Sequence, residues 1–183
     1  ELPQPYQISF LHICLGPRHI LNQSPHYPIQ ICYWLDKYPI ISVEDGAAED
    51  DESGWLAQRA LVTRIQILGD DRYATQSSRL KEGLSKNEAN AILIKPNQAG
   101  TLFAATSTLS LAKRNNWNAV VSARSGETEE SWLVDLATGS AAGQIKVGST
   151  HRSERTAKWN RLLELTYDRA APFNSEQSLN KFI

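Results

Sequence analysis

Glu44, Asp70, Lys95 and Lys146 are the side chains most capable of chemistry, because type and spacing agree in all four. With Ser122 between the two lysines, they fall at intervals of 26, 25, 27 and 24 residues. Carboxylates offer hard oxygen ligands to a divalent cation. Lysines can hold an anion or, once deprotonated, take a proton from a substrate. Acids and lysines converging on one face would therefore serve a metal ion and an anion together. Arg124 lies just beyond the fourth position of the series and adds another cation. Each residue alone has a plainer reading. Glu44 could cap the next segment, Asp70-Asp71 could form a turn, and an isolated lysine or arginine is a solvated charge or an ion-pair partner. The ordered series is what favours a site.

Each of the five residues closes a short apolar run: Ile40-Ile41-Ser42-Val43, Ile65-Gln66-Ile67-Leu68, Ala91-Ile92-Leu93-Ile94, Ala119-Val120-Val121 and Gln144-Ile145. Runs of this length with β-branched residues read as strands buried on both faces, as in a parallel sheet. Helical patterns fill the intervals. Trp55-Leu56 with Ala60-Leu61, Leu80 with Leu84, and Trp132-Leu133 with Leu136 are three of them. Leu102, Ala105, Leu109 and Ala112 form a longer stripe, and Trp159, Leu162, Leu163 and Leu165 mark the last helix. Ser153 is placed to cap that last helix, with Glu154 near the positive end of its dipole. Glu49 to Glu52 reads as a solvated helix start. A strand–helix unit repeated about every 25 residues builds a parallel sheet or barrel, and in a (β/α)8 barrel the chemistry sits at the C-terminal strand ends. A sheet of five such units would leave two open edges, which invite association.

The motifs resemble a known family. YPIISVEDGAAEDD (Tyr38 to Asp51), ILGDD (Ile67 to Asp71), ILIKPNQAGT (Ile92 to Thr101), VVSARSGETEE (Val120 to Glu130) and GQIKVGSTHRSERTAKWNRLL (Gly143 to Leu163) resemble enolase in order and spacing. The resemblance runs from about Tyr38 to about Glu164. It implies an α/β fold, the C-terminal part (about five βα units) of an enolase-type (β/α)8 TIM barrel. It implies Mg2+ as cofactor, Glu44 and Asp70 as metal ligands, and Lys95 as the base that removes the α-proton of 2-phosphoglycerate. Arg124 and Ser125 would hold the phosphate, and Lys146 the substrate carboxylate. The activity implied is that of phosphopyruvate hydratase in glycolysis, a cytoplasmic lyase, with a homodimer as in the family. Pro96 keeps Lys95 away from helical angles, as a strand end requires.

One position departs from the pattern. Enolases carry histidine where this chain has Ala123, in the run Ser122-Ala123-Arg124-Ser125. A methyl group donates no hydrogen bond, and losing a positioned donor costs on the order of 10²–10³ in rate. An enolase paralogue acting on another phosphoenolpyruvate-like or phosphono acid, and a truncated non-catalytic relative, are the alternatives. The family's N-terminal domain and its remaining metal and acid residues have no counterpart in residues 1–37.

Composition narrows the rest. The 183 residues carry a formal net charge of -1, which argues against a nucleic-acid surface. No apolar run reaches the roughly 18 residues of a membrane span. The apolar run from Ile8 to Leu15 is broken by Ser9 and His12 and lacks a basic flank, so it does not read as a signal peptide. The two cysteines, Cys14 and Cys32, read as reduced thiols. The sequence starts at Glu1 and has no methionine, as expected of a fragment or a trimmed product. The first thirty residues differ from the rest, holding five of the eight prolines (Pro3, Pro5, Pro17, Pro25 and Pro28) and three of the four histidines, in a series at His12, His19 and His26. That series lacks the short donor spacing of a zinc site. The expected organisation is an irregular segment at 1–37, the barrel segment at 38–170 and a tail at 171–183.

Overall fold

A computed structural model of the chain describes residues 11–14 and 27–169. Six strands form one parallel sheet in sequential order: β1 (Leu11–Cys14), β2 (Ile40–Glu44), β3 (Gln66–Gly69), β4 (Ala91–Ile94), β5 (Asn118–Ser122) and β6 (Gly143–Lys146). The helices are α1 (Tyr27–Lys37), α2 (Glu52–Leu61), α3 (Ser77–Lys86), α4 (Pro96–Ala99), α5 (Leu102–Arg114), α6 (Trp132–Gly139) and α7 (Ser153–Arg169). The five expected strands are β2 to β6.

Two local expectations are corrected. Residues 1–37 are not irregular throughout, since β1 and α1 lie within them. Pro28 is the second residue of α1, where a missing N–H costs the helix nothing. Pro3, Pro5, Pro17, Pro25, His19 and His26 lie outside the described residues. Ser153 is the first residue of α7 rather than the residue before it. The acidic run does start a helix: Asp51 caps α2, its carboxylate accepting the Gly54 N–H at 2.9 Å. Cys32 is a free thiol.

The two faces of the sheet have different partners because side chains alternate along each strand. Val43, Ile67, Ile92, Ile94, Ala119 and Val121 turn outward and form the main core with Trp55, Leu80, Leu109 and Leu133 of the helices. Leu68, Ala91, Leu93 and Val120 form a smaller cluster on the other face. That second face is concave. Gln66 of β3 and Gln144 of β6 exchange amide hydrogen bonds of 2.8 and 3.1 Å across it, skipping two intervening strands. Asn118 donates to Gln66 as well, at 2.7 Å, and Gln66 donates to the Ser42 hydroxyl at 3.1 Å. The interior is therefore layered, as in a barrel. A polar amide layer lies at the strand starts, an apolar layer above it and charged residues at the strand ends. β1 and β6 are the two edges of the sheet.

Candidate functional site at the strand ends

All five expected positions lie at the C-terminal ends of their strands. Glu44, Ser122 and Lys146 are the last residues of β2, β5 and β6, while Asp70 and Lys95 follow β3 and β4 directly. The curl of the sheet brings β6 back toward β2, so that Lys146 Nζ lies 2.7 Å from both carboxylate oxygens of Glu44. Lys95 Nζ donates to Asp70 Oδ2. Two acid–lysine pairs thus stand side by side over the apolar layer.

A third carboxylate joins them. Ligand oxygens of Glu44, Asp45 and Asp70 all lie within 4.8 Å of one another, and all three residues are buried. Asp45 takes a left-handed backbone angle (φ 47°), uncommon outside glycine, which directs its carboxylate back across the loop after β3. There it accepts the backbone N–H groups of Asp70 at 2.9 Å and Asp71 at 3.1 Å. Burial pushes the Asp45 carboxyl up to about 7, against those two N–H groups, which favour its charged form. Asp70 is also raised, chiefly by burial, with the Lys95 ammonium opposing the shift. Asp70 Oδ1 is buried and has no hydrogen-bond partner. A buried, unpartnered carboxylate oxygen beside two further carboxylates is costly on its own and is relieved by a cation. Oxygen donors only, clustered and shielded, fit a hard divalent ion such as Mg2+.

The loop from Asp70 to Thr75 is built to hold these groups. The Asp70 carbonyl accepts from Tyr73 N at 3.2 Å and Ala74 N at 2.8 Å, and Ala74 and Thr75 both adopt left-handed angles (φ 42° and 55°). A β-branched residue there needs compensation. Thr75 Oγ1 supplies it by accepting the Lys95 N–H at 2.9 Å and bonding Gln98 Oε1 at 2.9 Å. The strained turn after β3 is therefore tied to the backbone of Lys95. Lys95 itself precedes α4, which opens on Pro96.

Arg124 and Ser125 make no hydrogen bond or ion pair with this cluster. They are exposed in the loop after β5, and among the described residues neither side chain makes a hydrogen bond or ion pair. Ala123 is half-buried, and its N–H donates to the Lys146 carbonyl at 2.9 Å. Asp45 and Thr75 were not singled out in the sequence. Asp45 has one visible signal, its place next to Glu44. Thr75 has none, because its role comes from a backbone angle.

A curled parallel sheet with carboxylates and lysines gathered at its strand ends defines a barrel-type α/β domain. The comparisons with known proteins are specific. Residues 29–180 match the family described as "Enolase, C-terminal TIM barrel domain", and the chain belongs to the enolase family. It is 51% identical over 133 residues to the enolase of Campylobacter lari. It is 52% and 51% identical over 133 residues to the enolases of two Helicobacter pylori strains. Each alignment covers 72% of this chain and 31–32% of the relative, so the chain spans about a third of the length of the curated relatives it matches.

Proposed function

We propose that this chain supplies the metal-binding and proton-abstracting side of a phosphopyruvate hydratase site, which dehydrates 2-phosphoglycerate to phosphoenolpyruvate. One observation carries the reading: Glu44, Asp45 and Asp70 converge within 4.8 Å, and Lys95 and Lys146 stand directly on two of them. Glu44 and Asp70 would hold Mg2+, with Asp45 bracing the Asp70 loop through its two backbone contacts. A bound Mg2+ would neutralise charge that develops on the substrate carboxylate as its α-proton leaves. Lys95 takes that proton on Nζ from a position fixed by Thr75 and Pro96. Lys146 faces the same mouth and pairs with the substrate carboxylate. Arg124 and Ser125, exposed on the neighbouring loop, take the phosphate, for which a guanidinium fork is well shaped.

Mg2+ titration followed by thermal unfolding tests the metal half. A ligand bound only by the folded state stabilises it by about 2.7 kcal/mol at a hundred times its Kd. Wild type is expected to melt later as Mg2+ rises, and Asp70→Asn is expected to lose most of that increment. Equal increments in the two proteins would refute the assignment of Asp70. The chemical half is read by phosphoenolpyruvate absorbance with 2-phosphoglycerate and Mg2+.

Ala123 favours a second reading, in which the substrate is another phosphorylated or phosphono acid. Ala123→His separates the two. If the chain descends from a hydratase impaired at this one position, the change raises turnover of 2-phosphoglycerate on the order of 10²-fold, the usual worth of a positioned donor. If the substrate differs, turnover of 2-phosphoglycerate stays where it was.

A further inference from the structure

Lys158 is the one lysine of the described residues that is wholly buried, at 0% exposure. It lies on α7, in a stretch where the apolar pattern marks Trp159, Leu162 and Leu163 for the core, yet Leu163 is 56% exposed. An ammonium taken out of water costs several kcal/mol unless its protons find partners. Lys158 Nζ donates to the carbonyl of Glu154 one turn back in its own helix, at 2.9 Å, and to the carbonyl of Thr128 at 2.9 Å. It also faces Glu127 Oε2 at 3.6 Å. Two of its three partners therefore belong to the loop after β5.

Glu127 passes that hold along the loop. Its other carboxylate oxygen accepts the Arg124 N–H at 3.0 Å, and its own N–H donates to the Arg124 carbonyl at 3.3 Å. Gly126 sits between them at φ 81°, the left-handed angle that the third residue of a type II turn demands. Arg124 to Glu127 is thus a closed turn, pinned at one end by Glu127 and Thr128 to a charge buried under α7. Arg124 and Ser125 project from its exposed side. A helix core position needs no lysine for packing; a leucine would fill it. What the lysine adds is a fixed point for this turn.

We propose that Lys158 is a positioning residue for anion binding: through Glu127 and Thr128 it holds the Arg124–Ser125 turn in the shape that receives the substrate phosphate. The inference rests on the hydratase reading above and extends it to a residue that touches neither metal nor substrate. Preorganised donors bind better because little ordering remains to be done on binding; losing the outer partners of metal ligands costs about 10–100-fold in affinity, and a loss at the low end of that scale is expected for this anion site.

The test uses the full chain with 2-phosphoglycerate and Mg2+ as separate calorimetric probes, plus amide hydrogen exchange of residues 124–128. Lys158→Met is expected to weaken 2-phosphoglycerate roughly tenfold, speed exchange in the turn and leave Mg2+ affinity unchanged. A merely structural lysine would lower both affinities together, or neither. Glu127→Gln keeps an acceptor for the Arg124 N–H but removes the charge facing Lys158. It provides the same reading if Lys158→Met does not fold, with the same direction and a smaller effect expected. Unchanged 2-phosphoglycerate affinity and unchanged turn exchange in these variants, with a wild type that binds the ligand, would overturn the inference alone. A wild type that binds Mg2+ but no 2-phosphoglycerate would overturn the hydratase reading and this inference with it.

Discussion

Lys95→Ala is expected, on the hydratase reading proposed above, to lower phosphoenolpyruvate formation by about 10²–10⁴-fold, the usual contribution of a positioned general base. The geometry makes this lysine hard to replace. Its backbone is fixed by Thr75 on one side and by Pro96 on the other, and its ammonium reaches the buried Asp70 carboxylate. No other amine stands against Asp70 among the described residues; Lys146 is engaged with Glu44 across the mouth. Alanine also removes a cation that competes with a metal for Asp70, so the Mg2+-dependent rise in melting temperature should be larger in this variant than in wild type. Lys95→Arg separates the two roles. It keeps a positive charge for Asp70, yet a guanidinium does not give up its proton at working pH and cannot serve as base. Turnover should fall as far as in Lys95→Ala, while melting without Mg2+ stays closer to wild type. Turnover within a few-fold of wild type in either variant would remove Lys95 from the proton-transfer step.

The strand ends were legible because two independent signals coincide there. Short apolar runs of up to four residues with β-branched members specify buried strands, and a charged or polar residue at a nearly constant interval marks where each one stops. Glu44, Asp70, Lys95, Ser122 and Lys146 carry both signals. What the sequence concealed was set by backbone angle or by long-range packing. Asp45 reaches the carboxylate cluster because its φ is positive; its place next to Glu44 hints at the cluster but not at that backbone angle. Gln66 lies inside an apolar run and looks like a flaw in it, but it meets Gln144 and Asn118 from strands far along the chain. The helix α1 was hidden by proline density, since a proline at the second helical position is harmless while several prolines nearby read as loop. Lys158 inverts the periodicity rule for α7: the charged residue is inside and a leucine is outside. The rule assumes that a lysine cannot find three partners in the core, and here a neighbouring loop supplies two of them.

The same logic of a buried charge holding a functional loop yields the largest expected loss of stability. Glu88 is fully buried and binds Arg72 through both oxygens, Nε to Oε1 and Nη2 to Oε2, each at 2.8 Å. This pairing raises the Arg72 guanidinium above its ordinary range. The Tyr73 hydroxyl donates to Oε1 at 3.1 Å, and burial keeps that hydroxyl protonated well above its ordinary range. Glu88→Ala leaves the phenol without its acceptor and the guanidinium with only the Glu49 carbonyl, on Nη1 at 2.6 Å, and breaking one side of a buried pair typically costs about 3–5 kcal/mol. For a chain of this size that corresponds to a fall in melting temperature of roughly 10 °C. The effect should reach the site as well. The Tyr73 ring fills the space beside Gly69 and Gly83 so closely that an added Cβ would lie 2.3 and 2.6 Å from it. Gly69 immediately precedes Asp70. A ring released from Glu88 therefore loosens the end of β3 and the carboxylate it carries, and Mg2+ affinity should fall with stability. Replacing both partners, Arg72→Met with Glu88→Leu, removes the orphaned charge and should recover most of the lost stability. It should not recover the Mg2+ affinity, because the acceptor that orients Tyr73 is still missing. Denaturation midpoints and Mg2+ titrations on the single and double variants measure both quantities. Full recovery of both would mean that the Glu88 network supports the core without orienting the Asp70 loop.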